Sequence, residues 1–321
     1  MKMNSTKFSM VLILILSSFM LISSNNMLFS WMSMEINLFV FMPMITNSNK
    51  MKDQPMKYFI IQSMSSSMLL MSILMNSFTE TPISVSILLM TSMLMKTGMF
   101  PLHVWVPMLM YKLKWNLCFL LSTWQKILPT IIISQMVSFK LMNLPMMMSL
   151  IIPPIIATKQ LSTKKIFAYS SISNMPWMIS SMYISKQMFT MFLTIYSIIL
   201  FTIMKLMKKM NMLFINQIKS MNKMDKLSLI VSSLSMSGMP PMTGFLTKWM
   251  ILMKMNEMSL ITSISMITSS MISMYIYMKL SKNIFMNSAL KKKNKKKNLF
   301  INLINIINLM GLPMFLILKS I

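Results

Sequence analysis

GMPPMTGFLTKWM, residues 238–250, sets two glycines and a pair of adjacent prolines into an otherwise apolar run and closes on Lys248. Proline lacks the backbone donor and clashes with the preceding turn, so a helix cannot pass through Pro240 and Pro241 unbroken. A second stretch repeats the pattern: SMLMKTGMFPLHVW, residues 92–105, carries Gly98 and Pro101 just after Lys96. Irregular backbone inside a long apolar segment is tolerated in a membrane where it lines a polar or water-filled cavity, and transporters build ion sites from such broken helices. The two stretches predict an all-α, polytopic membrane protein with two discontinuous helices. Packing kinks without a further role are the alternative.

The rest of the chain agrees. Of 321 residues, 55% are apolar and 11% are charged, against about 25% charged in a soluble domain. That excludes an ordinary globule, and the apolarity excludes disorder. Apolar stretches long enough to approach the ~20 residues of a membrane span recur throughout. They predict eleven helices, over 8–24, 28–46, 58–78, 83–110, 115–138, 144–158, 166–184, 187–206, 227–253, 258–279 and 299–318, in a single domain covering 1–321. The sixth reads as short, 205–226 reads as a loop, and the run KKKNKKK at 291–297 is a solvated charge block. No small-x-small cleavage site follows the first apolar run, so it reads as a helix rather than a cleaved signal. Cys118 is the single cysteine, too few for a disulfide framework, a zinc cluster or an iron–sulfur site ligated by this chain alone.

The net charge of +26 would suggest nucleic acid in a soluble protein. Here the positions of the lysines decide. With the N-terminal pair, the loops after helices two, four, six, eight and ten hold 24 of them; the opposite side holds four, Lys140, Lys186, Lys254 and Lys319. That asymmetry follows the positive-inside rule and puts the N-terminus inside and the C-terminus outside. The charge is a topology signal, and nucleic acid is excluded as a partner. The 51 methionines act as adaptable apolar filler.

Three lysines fall within spans: Lys96, Lys126 in LLSTWQKILP (120–129), and Lys248. An ionisable group inside a span costs several kcal/mol by most estimates, which makes each a candidate functional residue, snorkelling to the interface being the alternative. Of the five acids, only Glu35, in FSWMSMEINLFVFMPM (29–44), falls inside a span. A buried carboxylate pairs with a cation or takes up a proton, and the membrane lysines are its available partners. The single histidine, His103, cannot build a metal site alone; packing and proton relay both suit it. Phosphate loops, nucleophile triads and paired catalytic carboxylates have no match in the sequence.

KTGMFPLHVWVP (96–107), LSTWQKILP (121–129), KKIFAYSSISNMPWM (164–178) and SLSMSGMPPMTGFLTKW (233–249) resemble the NADH dehydrogenase subunit 2 family of mitochondrial complex I, and WMSMEIN (31–37) and KYFIIQS (57–63) match its early segments. The Met-rich skew of the composition resembles that of A+T-biased animal mitochondrial genomes that read AUA as Met. The resemblance covers roughly residues 28–280. It implies an antiporter-like fold, shortened by three N-terminal helices, in the mitochondrial inner membrane. It implies proton translocation driven by NADH oxidation with ubiquinone, along a path through Glu35, Lys96, Lys126 and Lys248. It also implies no cofactor on this chain, since NADH, FMN, iron–sulfur clusters and ubiquinone belong to the whole complex. The expected partners are other membrane-arm subunits and membrane lipids, cardiolipin among them. Asn174 and Pro176 stand where the family usually has His and Gly, and Thr247 where it usually has Pro; the first removes a titratable group and the others change helix geometry. A free-standing cation/proton antiporter and a purely structural scaffold remain the alternative readings.

Overall fold

The structure is a computed structural model that describes residues 5–46, 53–78, 82–215, 217 and 223–286. The described residues are helical, with no strand among them beyond a single antiparallel bridge between Ser162 and Phe214. The chain divides into two compact units, with the boundary between Met146 and Met147. The first holds α1 (Ser5–Ile22), α2 (Met27–Thr46), α3 (Asp53–Phe78), α4 (Pro82–Thr97), α5 (Trp105–Lys112), α6 (Trp115–Ser122) and α7 (Trp124–Met136). The boundary falls inside α8 (Phe139–Thr158). The second unit continues with α9 (Thr163–Ser173), α10 (Met175–Ile184), α11 (Lys186–Lys209), α12 (Lys223–Ser237), α13 (Thr243–Met258) and α14 (Leu260–Met286).

Serine-rich apolar segments form these helices because each hydroxyl can satisfy itself on its own helix. Ser17, Ser92 and Ser265 donate to the carbonyls of Leu14, Leu89 and Thr262 at 2.9, 2.7 and 2.7 Å, and the same pattern recurs along α12 and α14. Each such bond keeps its own hydroxyl from lying bare in hydrocarbon. The inward faces are apolar: Phe41, Met93, Met99 and Met110 in the first unit, Trp177, Ile251, Met255 and Met266 in the second. Phe8, Phe19, Phe39, Leu144, Leu260 and Ile261 point outward and are exposed. An apolar exterior on this scale suits lipid as its solvent.

Several sequence expectations are corrected. Among the described residues, six helical stretches are long and apolar enough to cross a membrane, 27–46, 53–76, 115–136, 139–158, 186–209 and 260–282, so these criteria alone do not reach the expected eleven. The expected eleventh helix, 299–318, and the lysine run 291–297 lie outside the described residues. The helix expected to be short is a full 20 residues, α8. The expected loop 205–226 is helical at both ends: Lys205–Lys209 finish α11 and Lys223–Lys226 open α12, joined by an ion pair of 2.7 Å from Lys209 Nζ to Asp225 Oδ2. Lys254 and Glu257, expected beyond a helix end, lie within α13.

Four of the expected helices are interrupted rather than two. Breaks separate α4 from α5 and α12 from α13 at the expected Gly and Pro positions. A third falls at Thr123, between α6 and α7, where Ser122 and Thr123 turn their hydroxyls back onto the Cys118 and Phe119 carbonyls at 2.8 and 2.7 Å. A fourth falls at Asn174, between α9 and α10, where Pro176 occupies the first turn of the new helix, the position where its missing donor costs least.

Candidate functional site

Both glycine-marked breaks are built the same way. At the end of α12, the Gly238 and Met239 amides donate to the Ser235 and Leu234 carbonyls at 3.2 and 3.3 Å, and Gly238 has φ +85. This is the left-handed C-terminal motif that glycine makes without strain. At the end of α4, the Gly98 and Met99 amides both donate to the Leu94 carbonyl, at 3.0 and 3.1 Å, with Gly98 at φ +68. Trp105 then reaches back across this break, its indole N–H donating to the Met95 carbonyl at 3.1 Å.

Such a termination leaves the last carbonyls of a helix without intrahelical partners. At the α12 terminus a lysine takes them. Lys248 Nζ donates to the Met236 and Ser237 carbonyls, both at 3.1 Å, and sits 5.6 Å from the centre of the Trp177 ring. The negative end of the α12 dipole and the ring face both favour a cation there. With only 8% of its surface exposed, Lys248 is buried and does not snorkel.

In the first unit, Lys96 closes α4 and Lys126 opens α7; they are 7% and 3% exposed. Both line one cavity of about 30 Å³, together with Asn37, Tyr58, Gln62 and Gln125. A water needs roughly 10–15 Å³ of such space and two or more polar partners, so the cavity is large and polar enough to be wet. Asn37 and Gln125 exchange two side-chain amide bonds of 3.1 Å, and the Tyr58 hydroxyl donates to Gln125 Oε1 at 3.4 Å. Pro129 interrupts the donor ladder of α7 one turn beyond Gln125.

Glu35 lies on α2 next to Met34, whose sulfur is 3.8 Å from Lys96 Nζ. Among the described residues Glu35 makes no ion pair within 4.0 Å, and its buried Oε1 has no hydrogen-bond partner. Carboxylate and ammonium are near but not in contact. His103 is buried in the break before α5, with Nδ1 3.3 Å from the Pro101 carbonyl and its ring 5.6 Å from that of Phe100. No group of three potential metal ligands occurs among the described residues.

The structure thus brings Lys96 and Lys126 onto one cavity of the first unit, leaves Glu35 half-buried beside it but outside its lining, and places Lys248 in the second unit. The sequence reading missed Asn37, Tyr58, Gln62 and Gln125, which are uncharged. Their signal was an amide inside an apolar span, as in MEIN and TWQK.

The sequence profile of the NADH:quinone oxidoreductase/Mrp antiporter transmembrane family matches residues 75–273. NADH-ubiquinone oxidoreductase chain 2 of Locusta migratoria is 38% identical over 87% of this chain and 85% of its own length. Its counterpart in Anopheles gambiae is 32% identical over 93% and 92%. Among solved structures, a chain of respiratory complex I from Thermus thermophilus aligns with a TM-score of 0.85 over 98% of this chain and 80% of its own, at 17% identity. A chain of the archaeal membrane-bound sulfane sulfur reductase aligns at 0.80 and 16% identity, over 96% of this chain and 73% of its own. The fold is therefore shared far more widely than the sequence. With two buried lysines on one polar cavity, a third at a broken helix, and relatives alike along nearly their whole length, this chain belongs to the NADH:quinone oxidoreductase/Mrp antiporter family, within its NADH-ubiquinone oxidoreductase chain 2 branch.

Proposed function

We propose that this chain is a proton-translocating membrane-arm subunit of NADH:ubiquinone oxidoreductase in the mitochondrial inner membrane, and that Glu35, Lys96, Lys126 and Lys248 carry its proton path. The observation that supports this best is the cavity that the buried Lys96 and Lys126 share, lined in part by amides and a phenol. Two lysines on one wet cavity can exchange a proton through water. Burial favours the neutral form of an amine while a nearby carboxylate or helix C-terminus favours the charged form, so small rearrangements shift the proton between them. Lys96 and Lys126 make the relay of the first unit, and Lys248 serves the second. The family match crosses the boundary between the units, which supports treating residues 1–321 as one antiporter-like domain. NADH, FMN, iron–sulfur clusters and ubiquinone supply the redox chemistry elsewhere in the complex. The partners are the neighbouring membrane-arm subunits and lipids, cardiolipin included. The lysine asymmetry supports eleven spans, with the N-terminus in the matrix and the C-terminus in the intermembrane space.

The test is Lys126. Arginine keeps the charge but does not release its proton in proteins, and methionine removes the carrier. In the assembled complex, Lys126→Arg and Lys126→Met should both lose NADH-driven proton uptake. Wild-type coupling and turnover in both assembled variants would leave Lys126 a structural residue.

A further inference from the structure

Lys126 sits on a turn that its own helix holds weakly. The break at Thr123 precedes it, and the Thr123 hydroxyl donates back to the Phe119 carbonyl, so it gives α7 no N-cap bond. A missing cap typically costs about 1 kcal/mol. One turn further on, Pro129 has no N–H to offer the Gln125 carbonyl. The first turn of α7 is therefore uncapped at its start and short of a ladder bond behind it, which leaves it free to fray.

Side chains hold that turn instead. The Trp124 indole donates to the Leu14 carbonyl of α1 at 3.3 Å. Gln125 exchanges two bonds of 3.1 Å with Asn37 of α2 and accepts from the Tyr58 hydroxyl of α3 at 3.4 Å. Two consecutive side chains thus moor the turn to three helices, and Asn37 and Tyr58 are both buried. An amide pair demands what apolar packing does not: donor must meet acceptor in one register, and a buried donor left over costs about 1–3 kcal/mol. Neither amide titrates, so the mooring is the same whether or not a proton has arrived at Lys126. Asn37, Tyr58 and Gln125 also share the cavity wall with Lys96 and Lys126. Each amide spends one of its two N–H groups on the pair, which leaves the other for a cavity water.

We infer that the Gln125–Asn37 amide pair is the positioning element of the first unit's relay: it holds the first turn of α7 so that Lys126 reaches the cavity it shares with Lys96. The inference rests on the relay proposed above and adds to it two residues that carry no charge. Gln125 and Asn37 act through Lys126 and hand on no proton themselves. Displacing a reacting group by about 1 Å can cost on the order of 10²-fold in rate. An arm one methylene too short or too long at either position therefore matters even in a folded subunit.

The test changes the length of the arms and keeps their chemistry. Gln125→Asn shortens one arm, Asn37→Gln lengthens the other, and the exchange Asn37→Gln/Gln125→Asn restores the summed length. In the assembled complex each single variant should lower NADH-driven proton uptake per ubiquinone reduced several-fold, and the exchange should recover most of it. A role in stability alone would lower the thermal midpoint and leave that ratio at its wild-type value; this result in both single variants would overturn the inference. So would an exchange variant whose ratio is no better than theirs. A map of the assembled Gln125→Asn complex should show the Lys126 ammonium displaced, and an unmoved ammonium beside a lowered ratio would overturn positioning as the cause. Lys126→Met separates the inference from the relay. Loss of uptake in Lys126→Met with wild-type ratios in both single variants would remove the positioning role and leave the relay standing. Wild-type uptake in Lys126→Met would overturn the relay itself, and the role of the pair in it too.

Discussion

Glu35 adjoins Met34, whose sulfur lies 3.8 Å from the Lys96 ammonium, so a thioether stands between carboxylate and amine. A contact pair buried in this way gains little net free energy after desolvation, whereas separated partners can change protonation without breaking a bridge. In the assembled complex, Glu35→Gln and Lys96→Met should each slow coupled turnover, and the double variant should cost less than the two together. Coupled neighbours typically depart from additivity by roughly 0.5–3 kcal/mol; strictly additive losses in turnover would show that the two act independently. The charged candidates at this scale were legible in the sequence because a lysine or glutamate inside an apolar run has few inexpensive explanations. Asn37 and Gln125 were not, because an amide inside a span signals nothing until its partner, here 88 positions away, is known.

At the scale of elements, breaks marked by glycine and proline could be read directly, since those residues act on the backbone itself. Gly98 and Gly238 stand where the chain needs a positive φ. The break at Thr123 was hidden: serine and threonine hydroxyls only compete with the helix, and the sequence does not say whether they win. Helix lengths were misread for a related reason. Polar residues such as Lys205, Lys223 and Glu257 end a hydrophobic run without ending a helix. The α12 terminus gives a direct prediction. A methyl group on Gly238 would force an L-residue into the left-handed region, at about 1–2 kcal/mol, and would lie 3.1 Å from Lys248 Cδ. Gly238→Ala should therefore lower the thermal stability of the assembled complex and impair proton uptake beyond what the lost stability explains. Full proton uptake with lowered stability alone would show that the placement of Lys248 tolerates movement of the turn.

For the whole molecule, topology is the property that lysine positions forecast. Of the loop positions that carry the forecast, Lys50, Lys219 and Lys295 lie outside the described residues, and Lys164 turns out to be buried in the first turn of α9. Lys112, Lys114 and Lys159 are exposed and are the better reporters. A membrane-impermeant amine reagent should label these three in inside-out inner-membrane vesicles and spare them in intact mitoplasts. The opposite pattern would invert the orientation. Lys248 adds a consequence of another kind. The ammonium that would hold the proton is also the clasp on the last carbonyls of α12. Proton occupancy and the position of that terminus are then linked variables: any force that draws the terminus away changes the proton affinity of Lys248, and each change of protonation pushes back on the terminus with the same free energy. Mechanical tension on one turn of helix would in this way reach the proton on Lys248.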